Sequence, residues 1–307
     1  MTLADIAELD GVLAANIAKV NGLVFTTAPG AFLLDTYTGA AAAYSTRKLK
    51  TGVTVAARIR RSGDDIEADV EFDSNNEISL TSPISNASSG TYTDLADFVD
   101  HTGTARDAFI DEWKDQSGSG NHAAQATFGS QPKLYDATTG LITENGKPAL
   151  DFDGTDDQLQ STSNIAIDMS AYSAMTVLTA DSTSNMLGVK QLFGSNRRIY
   201  LSLINSGNYY VSWRTSTAAN YGTADTDQYL VSVYAGSTSV NAYRNGVVKT
   251  LQTDTYTTNQ ALSIGAFSVA NNSWDGTIQE VIVYESDQSS NRTGIESDIN
   301  GYFSIYT

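Results

Sequence analysis

The sequence predicts an all-β protein: a β-sandwich with a short helical segment at the N-terminus and a closing helix at the C-terminus. Three observations carry this. Apolar residues recur with period 2 after residue 30, as in Val53, Val55, Ala57 and Ile59, which is the pattern of strands with one buried face. Turns rich in Gly, Asn, Ser and Asp interrupt the second half at intervals of roughly ten residues, the spacing of a sandwich or jelly roll. The composition favours strands and turns, with 16 Tyr among 307 residues.

Taken in order, residues 1–25 differ from the rest. Leu3, Ile6, Leu13, Ile17 and Val20 recur at spacings close to 3 and 4, so an amphipathic helix or a short coiled-coil seam is predicted. Gly11 and Gly22 weaken a continuous helix, leaving two short helices as the alternative. The segment 1–30 is expected to attach the chain to a partner or to oligomerise through those five residues. Ala28-Pro29-Gly30 reads as a linker, and the sandwich follows over 31–307. A hairpin comes first. Its strands are Val53–Ile59 and Ile66–Phe72, joined at Ser62-Gly63-Asp64-Asp65, with arginines set opposite carboxylates. Six of the 18 basic residues lie between Arg47 and Arg61, but the cross-strand acids are expected to neutralise them. Strands are predicted over 173–180, 197–204, 207–213, 228–235, 238–244, 261–266 and 277–284. Ile295, Ile299 and Phe303 then recur at helical spacing and form the closing helix.

Charge and composition exclude several functions. Acidic residues number 35 against 18 basic, a formal net charge of -17, which disfavours nucleic acid as a partner. The absence of Cys removes disulfides, thiolate nucleophiles and Cys-ligated metals. No run reaches the ~18 apolar residues needed to span a bilayer, so no membrane insertion is expected. The start Met1-Thr2-Leu3-Ala4-Asp5 lacks the basic and apolar regions of a secretory signal. His122 lies in a turn and reads as a solvated loop residue. The acidic stretch Asp151, Asp153, Asp156 and Asp157 offers hard oxygen ligands but no fixed calcium spacing, and a solvated turn is the expected reading. No metal and no cofactor are predicted.

Three ordered motifs carry a family resemblance over about residues 37–135. They are Tyr37-Thr38-Gly39-Ala40-Ala41-Ala42-Ala43-Tyr44-Ser45-Thr46-Arg47, then Arg58-Ile59-Arg60-Arg61-Ser62-Gly63-Asp64-Asp65, then Trp113-Lys114-Asp115-Gln116-Ser117-Gly118-Ser119-Gly120-Asn121-His122. In this order they resemble the catalytic domain of arabinofuranosidase B enzymes. A second set, Lys147 to Asp157 with Tyr243-Arg244-Asn245-Gly246 and Gly276-Thr277-Ile278-Gln279-Glu280-Val281-Ile282-Val283-Tyr284, resembles the concanavalin-A-like, laminin-G-like jelly roll. Both resemblances imply one concanavalin-like sandwich. The segment Asp10-Gly11-Val12 with Ile17-Ala18-Lys19-Val20-Asn21-Gly22 is similar to N-terminal segments of tailed-phage virion proteins.

The first resemblance implies a glycosidase with a Glu nucleophile on a central strand and an Asp acid/base just before the last strands. The corresponding segments here, Arg197–Ile204 and Ile264–Ser268, contain no carboxylate. A scaffold without hydrolase activity, and no catalytic residues, is therefore expected. Glu280 matches a family Glu and shares its predicted strand face with Ile278, Ile282 and Tyr284, so it must find hydrogen-bond donors. The phage resemblance implies a virion-surface protein, a head decoration, fibre or tail appendage made in the host cytoplasm. Its expected partners are other virion proteins, further copies of itself and host surface polysaccharide. Crowded aromatics mark the expected glycan face: Tyr209, Tyr210, Trp213 and Tyr229, among polar Asn208, Ser212 and Asn220. An arabinofuranosidase-type hydrolase and a cellular carbohydrate-binding module are the alternatives.

Overall fold

The computed structural model describes residues 8–9, 12–13, 19–20, 23–24 and 32–307, apart from 169, 185, 194–196, 215–216, 252–256 and 267–272. Two antiparallel sheets face each other. In the first, the strand order is Ala40–Ser45, Asp275–Tyr284, Tyr172–Ala180, Gln228–Ala235, Val240–Arg244, Val247–Leu251. The second runs Glu67–Glu71, Val55–Arg61, Ala108–Trp113, Ala123–Ala124, Leu159–Ser161, Leu262–Ile264, Val189–Phe193, Arg197–Asn205, Asn208–Arg214, Thr217–Thr223. Lys133–Asp136 and Leu150–Asp153 join the two: Lys133 pairs with both Phe109 and Asp151, and Asp151 with Thr277. The fold is the expected sandwich.

Turn residues set where the hairpin strands begin. Asn208–Arg214 follows the turn Ser206-Gly207, and Val247–Leu251 follows Asn245-Gly246. All four turn residues have positive φ, between 48° and 75°, the backbone that two-residue hairpin turns require. Between the sheets lies the main core, in which Ala42, Tyr44, Val281 and Val283 meet Ala57, Ile59, Trp113, Leu159 and Ile264. The opposite face of the first sheet is covered as well. Ala43, Met175, Val177, Leu230, Ile282 and Tyr284 pack against Leu33 and Leu34 and against Ile295, Ile299 and Phe303 of the closing helix Arg292–Phe303. The first sheet is thus buried on both sides, which is why its central strands read as apolar runs rather than as alternations.

One irregularity reorients a side chain. The register shifts between Val177 and Leu178, opposite Glu280 and Ile278. Gln279 occupies this bulge, fully buried, and its Nε2 donates to the carbonyls of Glu144, Lys147 and Pro148 at 3.1–3.2 Å. Ile278 therefore faces the main core and not the face of Ile282 and Tyr284. A strict alternation places all of them together; a single extra residue moves one to the other side.

The N-terminal expectation needs correction. Glu8–Leu9 pairs with Val12–Leu13, and Lys19–Val20 with Leu23–Val24, both antiparallel. These described residues are strands, not a helix. Asp10-Gly11 and Asn21-Gly22 stand between the paired residues, and Asp-Gly and Asn-Gly are the strongest short signals for a hairpin. Of the proposed attachment residues, Leu13 and Val20 lie in these strands, while Leu3, Ile6 and Ile17 lie outside the described residues.

Candidate functional site

The motifs that carry the enzyme resemblance build the frame. Asp115, buried, accepts from Ala43 N and Ser117 N at 2.9 Å each, from Ser117 Oγ at 2.7 Å and from Asn121 N at 3.0 Å. Gln116 accepts from Leu49 N at 2.7 Å and donates to the carbonyls of Ser45 and Arg47. His122 takes Asp115 N on its Nδ1 at 3.0 Å. The motif ties a loop to the strand Ala40–Ser45. The arginines of the predicted hairpin are matched as expected: Arg58 by Glu67 and Asp69, Arg60 by Asp65, Arg61 by Asp64. Arg61 also lies 5.0 Å from the ring centres of both Tyr92 and Phe98, so it is packing material rather than a phosphate ligand.

An open cleft of about 380 Å³ lies between Leu150–Asp153 with the turn after it and the segment Phe128 to Lys133. Leu150 and Phe152 point into the core, so Asp151 and Asp153 point to the cleft. Asp157 enters from the following turn and is 5% exposed. That turn passes through Gly154 at φ +73°, where a Cβ would stand 2.8 Å from Asp275 Cβ, so only glycine fits. The facing wall is aromatic. Phe109 and Phe128 line it, and Phe128 is 47% exposed. Arg60 braces this wall from behind, 4.3 Å from the Phe128 ring centre and 5.0 Å from that of Phe109. Gln131 is held by Arg60 Nε at 2.8 Å and donates to Asp111 at 3.0 Å.

The carboxylate wall is short of cations. Asp153 lies directly opposite Asp275 across the sheet, and like charges so placed repel. Burial, with the nearby carboxylates of Asp153, Asp156 and Asp151, pushes the Asp157 pKa up to about 7, against the opposing hydrogen bond from Asp153 N at 3.0 Å. Burial and then Asp181 raise Asp151; burial and then Asp275 raise Asp181. Lys133 lines the cleft, but its ammonium is engaged by Asp136 at 2.8 Å and Asp107 at 3.3 Å. Oxygens of Asp153, Asp156 and Asp157 lie within 4.8 Å of one another, close enough to share a cation. Asp153 also caps its own turn by accepting from Thr155 N at 2.8 Å.

Glu280 sits in the opposite environment. It is 1% exposed and accepts from Ser45 Oγ at 2.7 Å and from Arg47 Nε and Nη2 at 2.8 and 3.2 Å. Arg47 Nη1 reaches Asp298 at 2.7 Å. Burial works against the Arg47 charge, but Glu280 and Asp298 outweigh it and raise its pKa. Every polar need of Glu280 is met inside the protein.

The tyrosines divide. Tyr209 and Tyr229 are buried. With Tyr221 they enclose the Arg244 guanidinium at 5.2, 4.3 and 5.3 Å from their ring centres, and Tyr209 shares a hydrogen bond with Ser202 at 2.7 Å. They have no free face for a sugar, a correction to the expected glycan platform. Strand alternation explains it: Tyr209 turns inward with Val211, and Tyr210 turns outward, half-buried, beside Asn220. The Trp213 side chain lies outside the described residues. The cleft aromatics were missed because Phe109 and Phe128 lie far in sequence from Asp157. Only the acidic run Asp151 to Asp157 signalled it, and that run reads equally as a turn.

No family model and no curated protein sequence matches the chain. Among solved structures, a GH54 α-L-arabinofuranosidase soaked with a cyclic sulfate inhibitor superposes with a TM-score of 0.60 at 16% identity, over 87% of this chain and 64% of that one. An arabinofuranosidase complexed with arabinofuranosyl-α-1,2-xylobiose gives 0.59 and 15%, with the same coverage. The chain thus spans less than two thirds of these enzymes. At such identity the likeness defines a fold class, the glycosidase-type β-sandwich. It also corrects the expectation that the chain is not an enzyme. That expectation rested on two segments empty of carboxylates, whereas the scaffold of glycosidases extends over 87% of the chain, and acidic groups converge in a cleft that those segments do not form.

Proposed function

We propose that the chain is a glycoside hydrolase of the arabinofuranosidase type, and that the acidic cleft is its active site. The observation that carries this reading is the pairing, in one open cleft, of an exposed aromatic wall with carboxylates of which one is tuned close to neutrality. Sugar hydrolysis needs a carboxylic acid that is still protonated at working pH beside a second carboxylate. Asp157 supplies the first. Protonated, it donates to the glycosidic oxygen as the bond to the anomeric carbon breaks. Asp153 supplies the second and attacks that carbon to form a glycosyl–enzyme ester. Water, deprotonated by Asp157, then releases the sugar and restores both groups. Retaining enzymes set these carboxyls about 5–5.5 Å apart, and the oxygens here lie within 4.8 Å. Phe128 offers the sugar ring a stacking face.

The test is nitrophenol release from aryl α-L-arabinofuranosides and related aryl glycosides. Turnover above a protein-free blank is expected, and Asp157→Asn and Asp153→Asn should each remove it. Absence of turnover on every glycoside, or activity retained in both variants, refutes the assignment.

A second reading is supported by the resemblance of Asp10 to Gly22 to tailed-phage segments. In it the chain is a virion-surface protein attached through residues 1–30 to other virion proteins and to further copies of itself, and the cleft engages host polysaccharide. Electron microscopy of particles labelled with an antibody to this chain decides it.

A further inference from the structure

We infer that a second pocket, between Arg47, Asn76 and Tyr302, is a binding site for one neutral sugar unit, separate from the cleft and independent of whether the cleft hydrolyses anything. The pocket measures about 260 Å³ and is lined by Phe32, Lys48, Asn75 and Asp298 in addition to those three. That is room for a single monosaccharide and its hydroxyls, near the lower end of small-molecule sites.

Its chemistry selects the ligand class. Arg47 and Lys48 bring two positive charges, and Glu280 and Asp298 bring two negative ones, so the site is neutral as a whole. A phosphate or a carboxylated sugar would meet only the single Lys48 ammonium beside Phe32, because the buried guanidinium is already spanned by Glu280 and Asp298. A polyol needs the reverse: donors and acceptors side by side with no net charge. The pocket has both. Arg47 uses one N–H on each of its three nitrogens, which leaves further N–H groups on Nη1 and Nη2. The Asn76 side-chain amide makes no hydrogen bond with any described residue, although the backbone around it is fixed: its N–H donates to the Asp73 carbonyl at 3.0 Å, its carbonyl accepts from Lys48 N at 2.7 Å and its φ is +64°. Lys48 has no carboxylate partner among the described residues, and its ammonium rests 5.2 Å from the Phe32 ring centre. Asp298 is the acceptor, with one oxygen committed to Arg47 and the other open to a hydroxyl.

Tyr302 lines the pocket as a fixed wall, its ring carrying Lys147 and Arg47 rather than offering a free stacking face. Its hydroxyl donates to Glu77, Lys147 Nζ lies 4.1 Å from its centre, and Arg47 lies 5.1 Å from it. Lys147 in turn binds Glu77 at 3.0 Å. A pre-positioned aromatic, fixed donors and a fixed acceptor reduce the ordering lost on binding. The site also stands apart from the cleft. Glu280, which holds Arg47, is five residues along one strand from Asp275, which pairs with Asp153 of the cleft, about 17 Å at strand rise.

The experiment is a titration of the full-length, ¹⁵N-labelled chain with L-arabinose, xylobiose and galacturonic acid, followed by ¹H–¹⁵N correlation spectra. The neutral sugars should shift the side-chain amides of Asn75 and Asn76 and the backbone amides of residues 48 and 298, with millimolar affinity. Galacturonic acid should bind at least threefold more weakly. Asn76→Gly, which keeps the positive φ without strain, combined with Asn75→Ala should weaken the neutral sugars about tenfold. Asp157→Asn should leave these shifts unchanged, so failure here is distinct from failure of the cleft assignment. Shifts absent at every sugar concentration, a preference for galacturonic acid, or binding unaltered in the asparagine variant would each overturn the proposal.

Discussion

Two carboxylate centres lie along the strand Asp275–Tyr284, and they teach opposite lessons. At Glu280 one buried acid meets a guanidinium and a hydroxyl with near-ideal geometry. At the other end, Asp275 faces Asp153, and Asp151, Asp156, Asp157 and Asp181 gather while the Lys133 ammonium that lines the cleft is engaged by Asp136 and Asp107. Glu280 and Asp157 are both buried, while Asp153 and Asp181 around the latter are exposed. What differs is compensation. A matched buried charge is inert and structural, and removing its partner is destabilising. An unmatched carboxylate responds by holding its proton, which is the property that acid catalysis uses. The molecule therefore separates stability and chemistry along one strand.

The largest effect should break the matched centre. Arg47→Ala strands the Glu280 charge in the interior and should destabilise the fold by about 3–5 kcal/mol, read by urea denaturation. The double variant Arg47→Met with Glu280→Leu should recover most of that loss, since an apolar pair leaves no charge behind. If the single variant lost under 1 kcal/mol, the two centres would not differ as described.

Next comes the unmatched centre. Asp157→Asn should lower kcat/KM at least ~100-fold, about 2.7 kcal/mol of barrier, while the fold remains. The wild type should also lose kcat/KM as pH rises through about 7, because Asp157 must be protonated to donate. A flat profile from pH 5 to 9 would remove Asp157 from the acid role.

The same group sharpens the comparison through stability. Its folded pKa is raised to about 7, above an unfolded value of about 3.9. The folded state then binds more protons between these values, so stability falls as pH rises from about 4 to about 7, by at most ~1.4 kcal/mol per pH unit. Asp157→Asn should flatten that slope in denaturation curves recorded across the range.

The smallest effect concerns the aromatic wall. Phe128→Ala removes an exposed ring that the core does not need. It should raise KM roughly fivefold, near 1 kcal/mol, with Tm unchanged. A fall in Tm instead would make Phe128 structural, like Tyr209.

The sequence by itself determined the strands and the closing helix. Val55–Arg61, Gln228–Ala235 and Arg292–Phe303 are legible because side-chain period and turn residues are local properties. The pairs Glu8–Leu9 with Val12–Leu13 and Lys19–Val20 with Leu23–Val24 do not follow from apolar spacing, which mimics a helical period; the signal for them is Asp10-Gly11 and Asn21-Gly22. Tertiary structure decided the rest. Which of Tyr209 and Tyr210 faces inward depends on the opposing sheet. The bulge at Gln279 depends on a register between distant strands, and it sends Ile278 away from Ile282. The cleft joins Phe109 and Phe128 to Asp157, and the second pocket joins Arg47 to Asp298. Neither the charge compensation of Glu280 nor its lack at Asp157 is written in either residue's neighbours in sequence, because a carboxylate's pKa is set by what packs against it in space.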